Sequence, residues 1–279
     1  MAAHELVELT SELWVYSSVD AAPGHSNAGV VIDADGITVI DALAAPNLAR
    51  PLLDELTSRP ATAGLPIRRL VLTSSHVPYC GGSGVFVLPA VYGSPQVSAH
   101  LDQPVDPESL THMFPDLAAE LIELDEVPTR AVTHTVAEGA WLSSTAVVAP
   151  VGGELTENLI VQIPEMRVVF AGAMASFGMT PMAGGGDPAR WADALDNLLE
   201  WGEIIIPGHG PVGGEEEVRD LQGYLRACVT ANGDPTAIGA GPWDAWPGRH
   251  YDAVNVERAH RLAQGDDAPP AALLGLRGR

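Results

Sequence analysis

TSSHVPYCGGS, residues Thr73 to Ser83, follows the apolar run Leu70 to Thr73 and passes through Gly81-Gly82 toward a helix. The strand opens into a polar, histidine-bearing loop that closes on paired glycines. Zinc sites take three or four N, S or O donors at about 2.0–2.3 Å, and this segment lacks most of them. Serine hydroxyls and a proline hold little affinity for such an ion, so the segment by itself supplies no complete ligand set.

Four further segments place that loop in a longer pattern. HSNAGVVIDADGITVIDAL (His25 to Leu43) reads as an opening strand pair, with Asn27 and Gly29 at its start and Asp41 at its end. GGELTENLIVQIP (Gly152 to Pro164), PEMRVVFAGA (Pro164 to Ala173) and IIIPGHGPVGG (Ile204 to Gly214) follow in that order. Together these segments resemble the metallo-β-lactamase superfamily, whose members carry THxHxDHxGG, PExxVLFAGD and IVPGHGP at the matching places. The resemblance runs from about Val7 to Gly265 and implies a four-layer αββα sandwich, an α/β fold of two facing halves.

Carried over residue by residue, the resemblance puts the family's metal ligands on Ser74, His76, Pro78, Tyr79, Glu154, Ala173 and His209. Two histidines are kept, one ligand becomes the carboxylate Glu154, and the rest are lost to Ser, Pro, Tyr and Ala. A two-metal hydrolase centre is not expected, no cofactor is expected, and a single weakly held metal through His76, Glu154 and His209 stays open. The resemblance implies structural roles for Asn27 and Asp41.

The 279 residues, with an apolar share of 46%, suit one domain with a sizeable core, its last stretch from about 231 to 279 packed on the rest. Every basic side chain is arginine, against 36 acidic ones, for a formal charge of −22. The absence of lysine excludes a lysine Schiff base or lysine general base. The acidity argues against a nucleic-acid surface, where phosphates demand clustered positive charge. Two cysteines cannot make a disulfide framework, no run reaches a membrane span, and MAAHELVELTSELW lacks a basic then apolar leader pattern. A cytoplasmic protein with reduced thiols is expected, with no membrane partner and a homodimer left open. The arginine-only, alanine-rich composition fits an enzyme of specialised metabolism.

Runs at Leu13–Val19, Gly29–Ile32, Ile37–Ile40, Arg69–Thr73, Ala146–Ala149, Leu159–Ile163, Val168–Ala171 and Glu203–Ile206 read as strands. Pro46–Leu56, Pro188–Trp201, Glu215–Thr230 and Val254–Gln264 read as helices, the first opening with proline in its first turn. Two stretches show no regular pattern and become candidates for substrate contact. Asp102–Asp116 offers His112 and Phe114; Met174–Gly186 offers Met174, Phe177, Met179 and Met182 ahead of a triple-glycine hinge, soft side chains that suit an apolar pocket.

Without a cation, His76, Glu154, His209 and Tyr79 are free to act as general acid and base, a carboxylate holding an imidazole tautomer. Ser74, an inward-facing nucleophile candidate beside His76, has no GxSxG elbow around it. Three classes stay open. The first is a metal-independent enzyme working by cyclisation, elimination, isomerisation or hydrolysis on a small organic substrate, polyketide-like or an ester or lactone. The others are a non-catalytic ligand-binding or interaction protein and a mononuclear metal-dependent hydrolase.

Overall fold

A computed structural model describes residues 4–18, 22, 24–101 and 107–276. Among them, one sheet runs in the order β1 (His4–Glu8), β2 (Leu13–Ser18), β3 (Ala28–Asp33), β4 (Gly36–Ile40), β5 (Ile67–Val71), β6 (Ala90–Gly93) and β7 (His134–Thr135). The second contains β8 (Ala140–Trp141), β9 (Val147–Val151), β10 (Asn158–Ile163), β11 (Val168–Ser176) and β12 (Ile204–His209), in the order β12-β11-β10-β9-β8. The first four strands are antiparallel and β4 to β7 parallel; in the second sheet only β11 and β12 are parallel. The helices are α1 (Pro46–Ser58), α2 (Val77–Cys80), α3 (Pro95–Leu101), α4 (Pro107–Met113), α5 (Ala118–Leu121), α6 (Pro188–Trp201), α7 (Glu215–Thr230), α8 (Asp252–Ala263) and α9 (Ala271–Leu276).

Strand alternation builds the layers, because successive side chains leave a strand on opposite faces. Leu13 and Val15 of β2 meet Leu159, Val161 and Phe170 of the second sheet in a cluster between the sheets. Trp14 and Tyr16 point the other way, into a core with Leu48, Leu52 and Leu56 of α1. On the far side, Ile160, Val169 and Ile205 pack with Trp191 and Leu195 of α6 and Leu221 and Leu225 of α7. Helix, sheet, sheet and helix therefore stack in four layers, as the resemblance implied.

Several sequence readings change at their edges. The strand expected to end at Ala171 continues to Ser176, because β11 keeps pairing with β12 through register shifts around Gly172. Within the stretch read as irregular after residue 101, Pro107–Met113 is helical and Pro115–Leu117 forms a 3-10 turn, while 102–106 lie outside the described residues. Val19, expected as a strand end, also lies outside them, as do the chain ends 1–3 and 277–279. Within the triple glycine read as a hinge, a Cβ on Gly186 would sit 2.2 Å from the Gly153 carbonyl oxygen, so glycine at that position lets two backbones touch.

Candidate active site

The ends of β5, β11 and β12 and the loop between β9 and β10 converge at one edge of the sandwich, and Thr73 stitches them together. Its backbone N–H and hydroxyl donate to the two carboxylate oxygens of Asp41 at 2.8 and 2.7 Å. The same hydroxyl accepts from Ala173 N at 3.1 Å, and its carbonyl accepts from Leu159 N at 2.9 Å. Asp41 holds the left-handed backbone (φ 63°) and is fully enclosed; burial pushes its carboxyl up to about 8, partly offset by the Thr73 donors. Asn27 secures the other side, donating to the carbonyls of Pro207 at 2.9 Å and Gly210 at 2.8 Å around the β12 end.

Beyond Thr73 the chain turns into α2, with Pro78 in its first turn, where a missing N–H is harmless. Gly81 and Gly82 press this turn onto residues 42–45, and Ala42 N donates to the Tyr79 carbonyl at 2.7 Å. Pro78 is anchored as well, its carbonyl accepting from the Ser26 hydroxyl.

This scaffold holds two polar pairs. His76 Nδ1 stands 3.0 Å from Glu154 Oε1, and the Ser74 hydroxyl donates to Glu154 Oε2 at 3.0 Å. Ser74 Oγ in turn accepts the backbone N–H of His76 at 3.1 Å, so the three residues close a ring. His76 Nε2 lies on the side of Gly185. In the second pair the Tyr79 hydroxyl lies 2.9 Å from His209 Nδ1, the rings edge to face with centroids 5.4 Å apart. Burial, helped by nearby His25, lowers His209 to about 4, and burial raises Tyr79 well above the usual phenol range. Burial keeps both neutral at pH 7; a Tyr79 O–H donated to Nδ1 puts the His209 proton on Nε2, and the opposite tautomer puts it on Nδ1 facing the phenol oxygen.

His76, Tyr79, Glu154 and His209 line one cleft. It encloses about 40 Å³, room for a few waters, within about 450 Å³ of space that includes its mouth. Phe114, Met179 and Met182, three of the candidate substrate contacts, line it together with Trp191 and form an apolar wall.

Other candidates stand elsewhere. His112 is exposed, with Nδ1 2.8 Å from the Glu108 carbonyl of its own helix, because α4 turns that face to solvent. Met174 and Phe177 are packed in the core against α6 and α7, where the extension of β11 carries them. Ser74 does not fit a nucleophile: its oxygen is buried and committed to Glu154 rather than to His76 Nε2. Sequence reading passed over Ser176, Thr180 and Tyr251, which also line the cleft. The first two sit in a stretch singled out for its methionines, while Tyr251 has no local signal, arriving from a 3-10 turn ahead of α8.

No protein-family model matches the chain. Over 90 residues it is 24% identical to a metallo-beta-lactamase type 2 of Bacteroides fragilis, a match spanning 30% of this chain and 36% of that relative. Solved structures match over far more. The mono-zinc form of the metallo-beta-lactamase FIM-1 from Pseudomonas aeruginosa aligns with a TM-score of 0.60 at 17% identity, covering 80% of this chain and 95% of that one. A metallo-beta-lactamase from Pontibacter korlensis gives 0.61 at 18%, covering 80% and 99%. The chain has the metallo-β-lactamase fold.

Within the metallo-β-lactamase fold, the donors present here do not fit the two-metal arrangement that the resemblance implies. His76 and Glu154 face each other, Glu154 spends its second oxygen on Ser74, and His209 Nδ1 is held by Tyr79. Among the described residues no group of three or more His, Cys, Asp or Glu is placed to hold a metal ion. No helix among them is long and apolar enough to cross a membrane.

Proposed function

We propose that the protein is a metal-independent acid–base enzyme acting on a small organic substrate, with His76 as the general base. The observation that carries this reading is the closed ring of Ser74, Glu154 and His76 beside a neutral His209 in one cleft. A carboxylate on Nδ1 fixes the imidazole plane and supports the charge formed when Nε2 takes a proton. Ser74 stops that carboxylate from rotating. His209 Nε2–H then serves as a neutral donor toward oxygen charge that develops in the transition state. Positioned general bases contribute roughly 10²–10⁴ in rate.

The test uses chelator-treated full-length protein and a panel of uncharged esters, lactones and enolisable ketones. Turnover that persists without metal, ignores added zinc, and drops about a hundredfold or more in His76→Gln and Glu154→Gln supports the reading. Turnover that appears only with added zinc would return the protein to metal-dependent hydrolysis.

A further inference from the structure

Four residues that line the cleft each carry a buried polar atom with no protein partner: Ser176 Oγ, Thr180 Oγ1, His209 Nε2 and Tyr251 Oη. Their residues are 6%, 1%, 7% and 3% exposed. Folded chains leave few buried polar groups unsatisfied, and a cluster on one cavity calls for an explanation beyond packing. The four come from different places: the end of β11, the loop after it, the end of β12, and the turn before α8. Their backbones are nonetheless tied down. Thr180 N donates to the Pro247 carbonyl at 2.9 Å, Phe177 N to the His209 carbonyl at 2.9 Å, and Tyr251 N to the Gly248 carbonyl at 2.9 Å. Asn255 of α8 clamps the intervening loop, donating to the Pro181 carbonyl and accepting from Ala183 N, each at 2.7 Å. Fixed backbones with spare side-chain polarity are what a preorganised binding site requires.

Charge narrows the ligand. Among the described residues no arginine lines the cleft, the chain has no lysine, and the Glu154 carboxylate lies in the same wall, so an anion meets no counter-charge from them. A cation gains little, because both Glu154 oxygens are already engaged. The apolar wall takes hydrocarbon, and the unpaired set offers one N–H donor with three hydroxyls that both donate and accept.

We propose that this cage binds an uncharged hydroxycarbonyl group, its carbonyl oxygen on His209 Nε2–H and its hydroxyl among Ser176, Thr180 and Tyr251. The binding stands on the cage alone; the chemistry deepens the acid–base reading above and rests on it. His76 Nε2 removes a proton from the carbon that bears the hydroxyl. The C–H pair becomes the C=C of an enediolate and the carbonyl π pair settles on the oxygen facing His209. Return of a proton from the imidazolium reverses the step, so no oxidant or reductant is consumed, and in heavy water deuterium is left on carbon.

Hydroxyacetone and pyruvate make the probe pair, since they match in size and differ by a hydroxymethyl against a carboxylate. Saturation-transfer NMR on the full chain in D2O should show hydroxyacetone bound at least about tenfold more tightly, with deuterium entering its hydroxymethyl carbon. Thr180→Val and Tyr251→Phe should each weaken binding roughly tenfold while raising the melting temperature, because each removes a buried hydroxyl with no partner. Equal or tighter binding of pyruvate, no binding of hydroxyacetone, or a lowered melting temperature in both variants would overturn the cage. Binding retained in His76→Gln with deuterium uptake abolished supports both readings. Binding without uptake in the unaltered protein supports the cage and overturns the acid–base reading.

Discussion

Tyr79 and His209, 130 residues apart in sequence, meet through a 2.9 Å hydrogen bond between the phenol and Nδ1. A Cβ on Gly208 would lie 2.5 Å from the Tyr79 ring, so the glycine before His209 is what lets the ring reach its partner. Replacing Tyr79 by Phe keeps the edge-to-face packing and leaves Nδ1 buried without a donor. The expected loss is about 1–3 kcal/mol of stability. A lower denaturant midpoint with an unchanged slope would show it, and nitrogen-15 shifts would show the tautomer of His209 released.

Glu154→Gln tests the ring around His76. A glutamine keeps the shape but presents an N–H₂ to either Ser74 or His76, so the contact on that side must reverse, with the Ser74 hydroxyl accepting or His76 Nδ1 giving up its proton. Turnover should fall by roughly 10²–10⁴, the worth of an oriented general base. Ser74→Ala, which leaves the His76 contact in place, should fall less; equal loss in both would make the ring purely structural.

His209 predicts acid sensitivity. Its imidazole stays neutral in the fold down to about pH 4 and protonates near 6.5 once unfolded. The unfolded chain therefore takes up this proton first as pH falls. Stability fully present above about 6.5 is lost on the way down to pH 4, by up to about 3 kcal/mol. His209→Gln removes this contribution, so its pH–stability curve should be flatter over that window than that of the unaltered protein. Parallel curves would mean that His209 titrates alike in both states.

The glycines separate close approach from spare flexibility. A Cβ on Gly81 would lie 1.9 Å from the Ala44 carbonyl oxygen, a backbone atom that cannot swing away. Gly81→Ala should cost about 1–3 kcal/mol and displace α2 with Tyr79. Gly275, inside α9 with nothing within 4 Å of a built Cβ, is the control. There alanine should raise stability by roughly 0.5–1 kcal/mol, and thermal melts of the two variants should move in opposite directions.

The strands whose side chains alternate between two cores, such as β4 and β10, were readable because each residue's face is set by its own position along the chain. The two-residue strands β7 and β8 were not, since they are exposed and owe their form to a neighbour's ladder rather than to any pattern. In the site, local motifs pointed to His76, Glu154 and His209. They could not show that His112 would turn to solvent, or that β11 would run on and carry Met174 and Phe177 into the core.

Hydrophobic periodicity, a local property, marked most of the strands and helices, while the four-layer sandwich and the loss of most metal ligands were implied by the resemblance to the metallo-β-lactamase superfamily. Which partners the surviving groups meet came from packing between distant parts of the chain. The Ser74–Glu154–His76 ring, the Tyr79–His209 bond and the arrival of Tyr251 each join residues dozens of positions or more apart. Hydrogen bonds act over about 3 Å, a distance that packing of the sheets and of α8 creates and that no stretch of sequence contains.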